Sequence, residues 1–218
     1  MLWIAGALAL IVTWAVIMPL YFTNEGVLSQ AAVLTNKIIP TSMAALFSLT
    51  AFLKSGGADR YALLIFLGLV VCAAADYLLG VKFIVGGALF FTGHMFYLAA
   101  LGSFRRPTWW SLPVFILAVI GLWFFCHRYF DQFPSKLLFV GVMVYCMALG
   151  ALLGFSLPLP LLKFSRRAVL AALGAALFVL SDMGTCHVIL ANPGKRFDFM
   201  SLGIYYTAQF LLGMSAFL

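Results

Sequence analysis

The sequence predicts an all-α polytopic membrane protein with eight transmembrane helices, and three observations predict it. The first is composition: 65% of the 218 residues are hydrophobic and 9% are charged, where a soluble domain carries roughly 45–50% and ~25%. So little polar material cannot coat a water-soluble globule, and the solvent must be lipid. The second is that apolar runs of membrane-crossing length recur along the whole chain. The third is that the breaks between them are short, since at about 20 residues per crossing eight helices use about 160 residues and leave about 58 for seven loops.

Breaks at charge, proline and glycine clusters set the spans at 2–21, 31–53, 61–80, 84–102, 111–126, 136–156, 167–190 and 201–218. The first begins Met-Leu-Trp-Ile with no basic segment ahead of it and no small-residue cleavage site after it, so it reads as a retained span rather than a removed leader. Span two ends at Lys54-Ser-Gly-Gly-Ala-Asp-Arg60, span three before Lys82, span four before Arg105-Arg-Pro107, and span five before Arg128. Span six runs from Lys136 to the prolines at 158 and 160, span seven follows Arg166-Arg167, and span eight follows Lys195-Arg196. No linker is long enough to divide the chain, so residues 1–218 form one transmembrane domain.

An even number of spans puts both termini on one side. The loops on that side hold seven Lys/Arg and those on the other side five (Lys82, Arg128, Lys136, Lys195 and Arg196), so the positive-inside rule puts the termini in the cytoplasm. The expected location is the inner (cytoplasmic) membrane of a bacterium. The net charge of +7 does not imply nucleic acid, because the cations sit in ones, twos and threes between apolar spans as juxtamembrane anchors. Trp3, Trp109, Trp110 and Trp123 lie near span ends and suit the interfacial aromatic belt. Cys72, Cys126, Cys146 and Cys186 form no CxxC pattern and read as packing residues. A faint internal echo, Ala75-Asp-Tyr77 with Phe91-Thr-Gly-His-Met95 against Ser181-Asp-Met183 with Tyr206-Thr-Ala-Gln-Phe210, allows a parallel four-plus-four repeat.

Ionisable groups inside a span cost on the order of 2.5–3.5 kcal/mol on insertion scales, so each is a candidate site. They are Lys37, Asp76, His94 and Asp182, joined by Tyr205, Tyr206 and Gln209. Because successive spans alternate direction, a rise of 1.5 Å per residue puts all of them roughly 6–15 Å below the surface opposite the termini, where they can converge on one pocket. Faces agree with depth: Phe90, Phe91, His94 and Tyr97 share a stripe, as do Gly174, Phe178, Ser181, Asp182 and Thr185. Pro40 removes a helical hydrogen bond one turn after Lys37 and can bend the helix there.

Two of these residues admit a plain structural role. Lys37 can pair with Asp76 or Asp182 instead of a ligand, and His94 on an aromatic face can be a satisfied core histidine. His127 and His187 lie in a loop and near a membrane boundary. No GxSxG, HExxH, P-loop or dinucleotide fingerprint is present, and no three-histidine zinc site is expected because the histidines fall in different places. A metal site of His94 with Asp76 and Asp182 stays open, and what remains is two carboxylates, a histidine, tyrosines and a lysine, which suit acid–base chemistry without a cofactor, or proton coupling.

The series Lys37-x-x-Pro40, Asp76 closing a span, Gly87-Ala-Leu-Phe-Phe-Thr-Gly-His94-Met-Phe-Tyr97, Gly174-Ala-Ala-Leu-Phe-Val-Leu-Ser-Asp182 and Tyr205-Tyr-Thr-Ala-Gln209 resembles the lysoplasmalogenase (YhhN-like) family of membrane proteins. The resemblance covers spans two to eight in order, although spans five and six match in length and hydrophobicity alone. It implies hydrolysis of the vinyl ether bond of lysoplasmalogens to a fatty aldehyde and glycerophosphoethanolamine or glycerophosphocholine. A vinyl ether opens when a proton is placed on its β carbon and water captures the resulting oxocarbenium ion. One carboxylic acid and one carboxylate suffice, the division of labour of glycosidases. Asp76 and Asp182 are the expected pair, with His94 or Tyr206 relaying a proton. Lys37 suits the head-group phosphate, and Tyr97, Tyr205, Tyr206 and Gln209 complete the expected substrate site. The expected partners are the lysophospholipid and the surrounding membrane lipids, with no obligate protein partner. The rival from another class is a proton-coupled transporter of a small or lipid-like substrate, against which stands the lack of broken helices in paired positions.

Overall fold

Alternating apolar runs and short polar breaks give eight long helices in the computed structural model, which describes residues 2–24 and 30–217. Helix α1 comprises Leu2–Val12, a π-helical turn at Thr13–Ile17 and Met18–Asn24. It is followed by α2 (Gln30–Lys54), α3 (Arg60–Val81), α4 (Phe83–Phe104), α5 (Ser111–His127), α6 (Lys136–Ser156), α7 (Arg166–Ala191) and α8 (Lys195–Ser215). One-turn helices at Phe130–Gln132 and Leu159–Leu162 sit in connections. The described residues contain no strand.

Local chemistry fixes the ends. Asp59, Ser135 and Ser165 each accept a bond from the backbone N–H three residues on (Ala62, Leu138 and Ala168), which caps α3, α6 and α7. Gly56 and Gly57 adopt positive φ in the turn between α2 and α3, and Asn192 takes the left-handed conformation that stops α7. Helix α8 begins at Lys195, six residues ahead of the expected 201, because the polar turn Lys195-Arg-Phe-Asp198 winds as helix below the apolar stretch. His127, expected in a loop, is the last residue of α5. Helix α2 continues unbroken through Pro40.

Among the described residues, five helical segments are long and apolar enough to cross a membrane: Ile4–Thr23, Arg60–Val81, Phe83–Phe104, Lys136–Leu162 and Arg166–Ala191. Helix α5 is shorter, while α2 and α8 are diluted by the polar residues they carry inward. Large apolar side chains cover the outside, with Ile4 65%, Leu46 59% and Leu161 90% exposed, as lipid-facing residues should be. This is the build of an integral membrane protein. Trp109 and Trp110 stack at 3.7 Å in front of α5, both exposed; the side chain of Trp3 lies outside the described residues.

Six helices contact one another in the cyclic order α2, α3, α4, α6, α7, α8, with α1 outside against α2 and α8 and α5 outside against α6 and α7. A ring of this order accommodates a four-plus-four repeat without requiring one. The ring is tight at the end that carries the termini. There Arg167 donates to Asp59 Oδ2 at 2.9 Å and to the Ala216 carbonyl at 3.2 Å, with its guanidinium 4.8 Å from the Tyr61 ring centroid. The Tyr61 and Ser215 hydroxyls share a 2.7 Å bond, tying α3 to α8.

Gly213 lets α8 lie directly on α2, since a Cβ there would collide with the backbone carbonyl of Ala44. Gly213→Val should therefore lower the thermal unfolding midpoint in detergent, at a cost of about 1–3 kcal/mol for overpacking. Gly87→Ala should leave the midpoint nearly unchanged, because a Cβ at Gly87 meets nothing within 4 Å.

Candidate active site

Asp76 lies in the last third of α3 and is 6% exposed. Its Oδ2 accepts the Thr41 hydroxyl of α2 at 2.7 Å and the Tyr205 hydroxyl of α8 at 3.0 Å. The Tyr205 oxygen in turn accepts Gln209 Nε2, one helical turn on, at 2.8 Å, and Gln209 Oε1 accepts the Tyr97 hydroxyl of α4 at 2.7 Å. Every donor in the chain Tyr97, Gln209, Tyr205, Asp76 points the same way, so each bond polarises the next. A lone carboxyl in lipid is costly, and three other helices contribute side chains to relieve it.

Asp182 stands at the same distance from the first residue of α7 as Asp76 does from that of α3. Its Oδ2 accepts the Tyr145 hydroxyl of α6 at 2.6 Å. Both aspartates line a single cavity of about 940 Å³ in the half of the bundle opposite the termini. Lys37, Asp198 and Tyr205 give that cavity polar wall, and Phe83, Phe91, Phe125 and Leu138 give apolar wall.

Lys37 makes no ion pair with either aspartate. Its ammonium lies 5.0 Å from the centroid of the Tyr21 ring, a cation–π contact, and it borders the cavity. The backbone carbonyl of Lys37 accepts the Tyr206 hydroxyl at 3.1 Å, which pins α8 to α2 one turn before Pro40.

The other expected site residues stand behind the wall. Tyr97, Gln209 and Tyr206 are buried and do not border the cavity, and they hold the residues that do. His94 is fully buried and also off the cavity. Its Nδ1 lies 2.6 Å from the Phe90 carbonyl, which can only accept, so Nδ1 carries the proton and Nε2 is a lone pair with no partner. The ring packs edge-on against Phe178 at 4.6 Å, Tyr145 at 5.2 Å and Tyr97 at 6.2 Å between centroids. Ser181, on the expected stripe of α7, is engaged in reciprocal bonds with Ser201 of α8. His187 bonds the Tyr129 hydroxyl at 2.7 Å. Among the described residues no group of three or more His, Cys, Asp or Glu is placed to hold a metal ion.

Two residues central to this geometry were not singled out from the sequence, Tyr145 and Thr41. Tyr145 carries a usable signal, because a tyrosine ten residues into a membrane span is too deep for the interfacial belt and needs a buried partner for its hydroxyl. Thr41 carries none, since a threonine in a membrane helix ordinarily satisfies itself on its own backbone, as Thr13 and Thr50 do here.

No curated protein and no solved structure matches the chain. A sequence profile does, over residues 32–216, which takes in all but the first two residues of α2, both aspartates and every side chain of the hydrogen-bonded chain between α4 and α3. The chain belongs to the YhhN family.

Proposed function

We propose that this protein is a membrane hydrolase that cleaves the vinyl ether bond of lysoplasmalogens, with Asp76 and Asp182 as an acid–base pair. The observation that carries the reading is that two carboxyl groups border one lipid-embedded cavity, Asp76 held by two hydroxyl donors and Asp182 by one, and neither is paired with a cation among the described residues. Paired to a lysine, such groups would be structural ion pairs. Bonded to hydroxyls and facing a cavity, they are free to exchange protons with a bound molecule.

Asp182, with one donor, is assigned as the acid, and Asp76, whose Oδ2 takes two, as the carboxylate. Asp182 gives its proton to the β carbon of the alkenyl chain, whose C=C pair forms the new C–H bond and leaves an oxocarbenium ion stabilised by Asp76. Water adds to the α carbon, the one bonded to the ether oxygen, and yields its proton to Asp76. The hemiacetal then breaks its bond to the glycerol oxygen, which takes the proton from Asp76, while the hemiacetal hydroxyl returns a proton to Asp182. Both groups end as they began, and a fatty aldehyde and a glycerophospho head group leave. Lys37, at the cavity edge, faces the phosphate. His94 acts as a positioning residue through its contact with Tyr145. The termini face the cytoplasm in this reading.

The pair should give a bell-shaped pH profile for aldehyde release, the acidic limb reporting protonation of the carboxylate and the alkaline limb loss of the acid. Asp76→Asn and Asp182→Asn should each slow turnover at least ~100-fold in folded protein. Near-normal aldehyde release by either variant sinks the two-carboxylate mechanism. Turnover by purified wild type without any gradient excludes a carrier.

Lys37→Met should raise KM more than it lowers kcat, because the lysine binds the head group before and during the reaction alike. An unchanged KM with a collapsed kcat, measured on the same lysoplasmenylethanolamine series, contradicts the phosphate role.

A further inference from the structure

Helices α4 and α6 both start at the end opposite the termini and run parallel. They meet deep in the bundle, where the His94 and Tyr145 rings touch, yet toward their starts they do not close on each other. Gly87 of α4 and Gly141 of α6, each a little over one turn from its helix start, both border the cavity, and a Cβ at either would meet nothing within 4 Å. Along one face of α4, Ile84, Ala88 and Thr92 border the cavity and are exposed. Ile84 is 75% exposed and, across the gap, Val144 is 50% exposed while bordering the same cavity. Large exposure along these faces, with open space at both glycines, marks a wall that packing does not close. Because this wall lies within membrane-crossing helices, the opening gives onto hydrocarbon rather than water.

In the ring of six helices the α4–α6 junction lies opposite the α8–α2 junction. The helices of that second junction carry Lys37 and Asp198, and the rim between α4 and α6 carries aliphatic side chains, a threonine and glycines. A molecule spanning the cavity therefore meets charge at one end and lipid at the other. An amphiphile with one chain matches this polarity, with its head toward Lys37 and its tail left in the leaflet.

We propose that the gap between α4 and α6 is a lateral door through which a single-chain lipid slides from the leaflet into the cavity, with Gly87 and Gly141 as its jambs. The proposal rests on the reading of the cavity as a site for a single-chain ether lipid and adds the route and the residues that select for the chain. A Cβ at either glycine meets open space, so a bulky side chain there has room to fill the opening.

The test uses full-length protein in detergent with Gly87→Trp and Gly141→Trp, and Val144→Trp as a second position on the exposed rim. Two quantities are read. One is the ratio of aldehyde release from a long-chain lysoplasmenylethanolamine to that from a short-chain, water-soluble vinyl ether of the same head group. The other is the rise in melting temperature caused by a non-cleavable 1-O-alkyl lysophosphoethanolamine. The long-to-short ratio should fall at least ~10-fold in the tryptophan variants, and the stabilisation by the alkyl lysolipid should vanish. If the folded variants keep both the wild-type ratio and the stabilisation, the door is wrong while the hydrolase reading stands. If wild type is stabilised by the lysolipid, the variants are not, and neither vinyl ether is cleaved, the hydrolase reading falls and the door stands.

Discussion

Two hydroxyl groups aimed at a single carboxylate oxygen set the geometry of the open half of this bundle. Within hydrocarbon a polar atom left without a partner costs several kcal/mol, so the Oδ2 atom of Asp76 must be met from inside the protein. The donors come from α2 and α8, and the carboxylate from α3. One atom thereby fixes the relative position of three helices. Gln209 and Tyr97 extend the constraint to α4, and because Gln209 and Tyr205 each accept and donate along one direction, shifting α8 would break the series at two points.

The two ends of the bundle use different physics. At the end with the termini, Gly213 brings α8 against α2, and Arg167 links α7 to the start of α3 and the end of α8, so the ring closes. At the other end the cavity occupies the space that packing would fill. The boundary between the two regimes is the aromatic group around His94. Its Nδ1 is tied to its own helix, and its ring is wedged among Phe178, Tyr145 and Tyr97. A histidine so enclosed holds Tyr145 in place, and Tyr145 holds Asp182.

The sequence makes the aspartates legible because an ionisable residue in an apolar run is expensive and stands out against its neighbours. Depth along alternating helices was enough to bring Lys37, Asp76, Asp182 and Tyr205 to one cavity. What sequence could not supply was the side-to-side arrangement. Tyr97, Tyr206 and Gln209 lie at the right depth and on the right helices, but a rotation about the helix axis puts them behind the wall. Depth follows from counting residues; rotation follows from packing that involves every neighbour at once. The start of α8 differs from the expected one for a simpler reason, since Lys195 and Arg196 mark the edge of the hydrocarbon but not the edge of the helix.

In the proposed reaction the two halves of the substrate must part into different solvents, and the cavity is built with two different sides. A lysolipid places its vinyl ether just below the head group, at the depth where Asp76 and Asp182 lie, so the bond to be broken need not leave the leaflet. The reaction consumes one water, and the polar wall with Lys37 and Asp198 is the side from which a water can be accommodated by hydrogen-bonding groups. The aldehyde is an apolar chain with a small carbonyl, and its stable place is the hydrocarbon beyond α4 and α6. The glycerophospho group is charged, and its stable place is water. Cleavage at the boundary between the walls lets each product leave down its own solvation gradient, so the tail need never cross the polar side or the phosphate the apolar one.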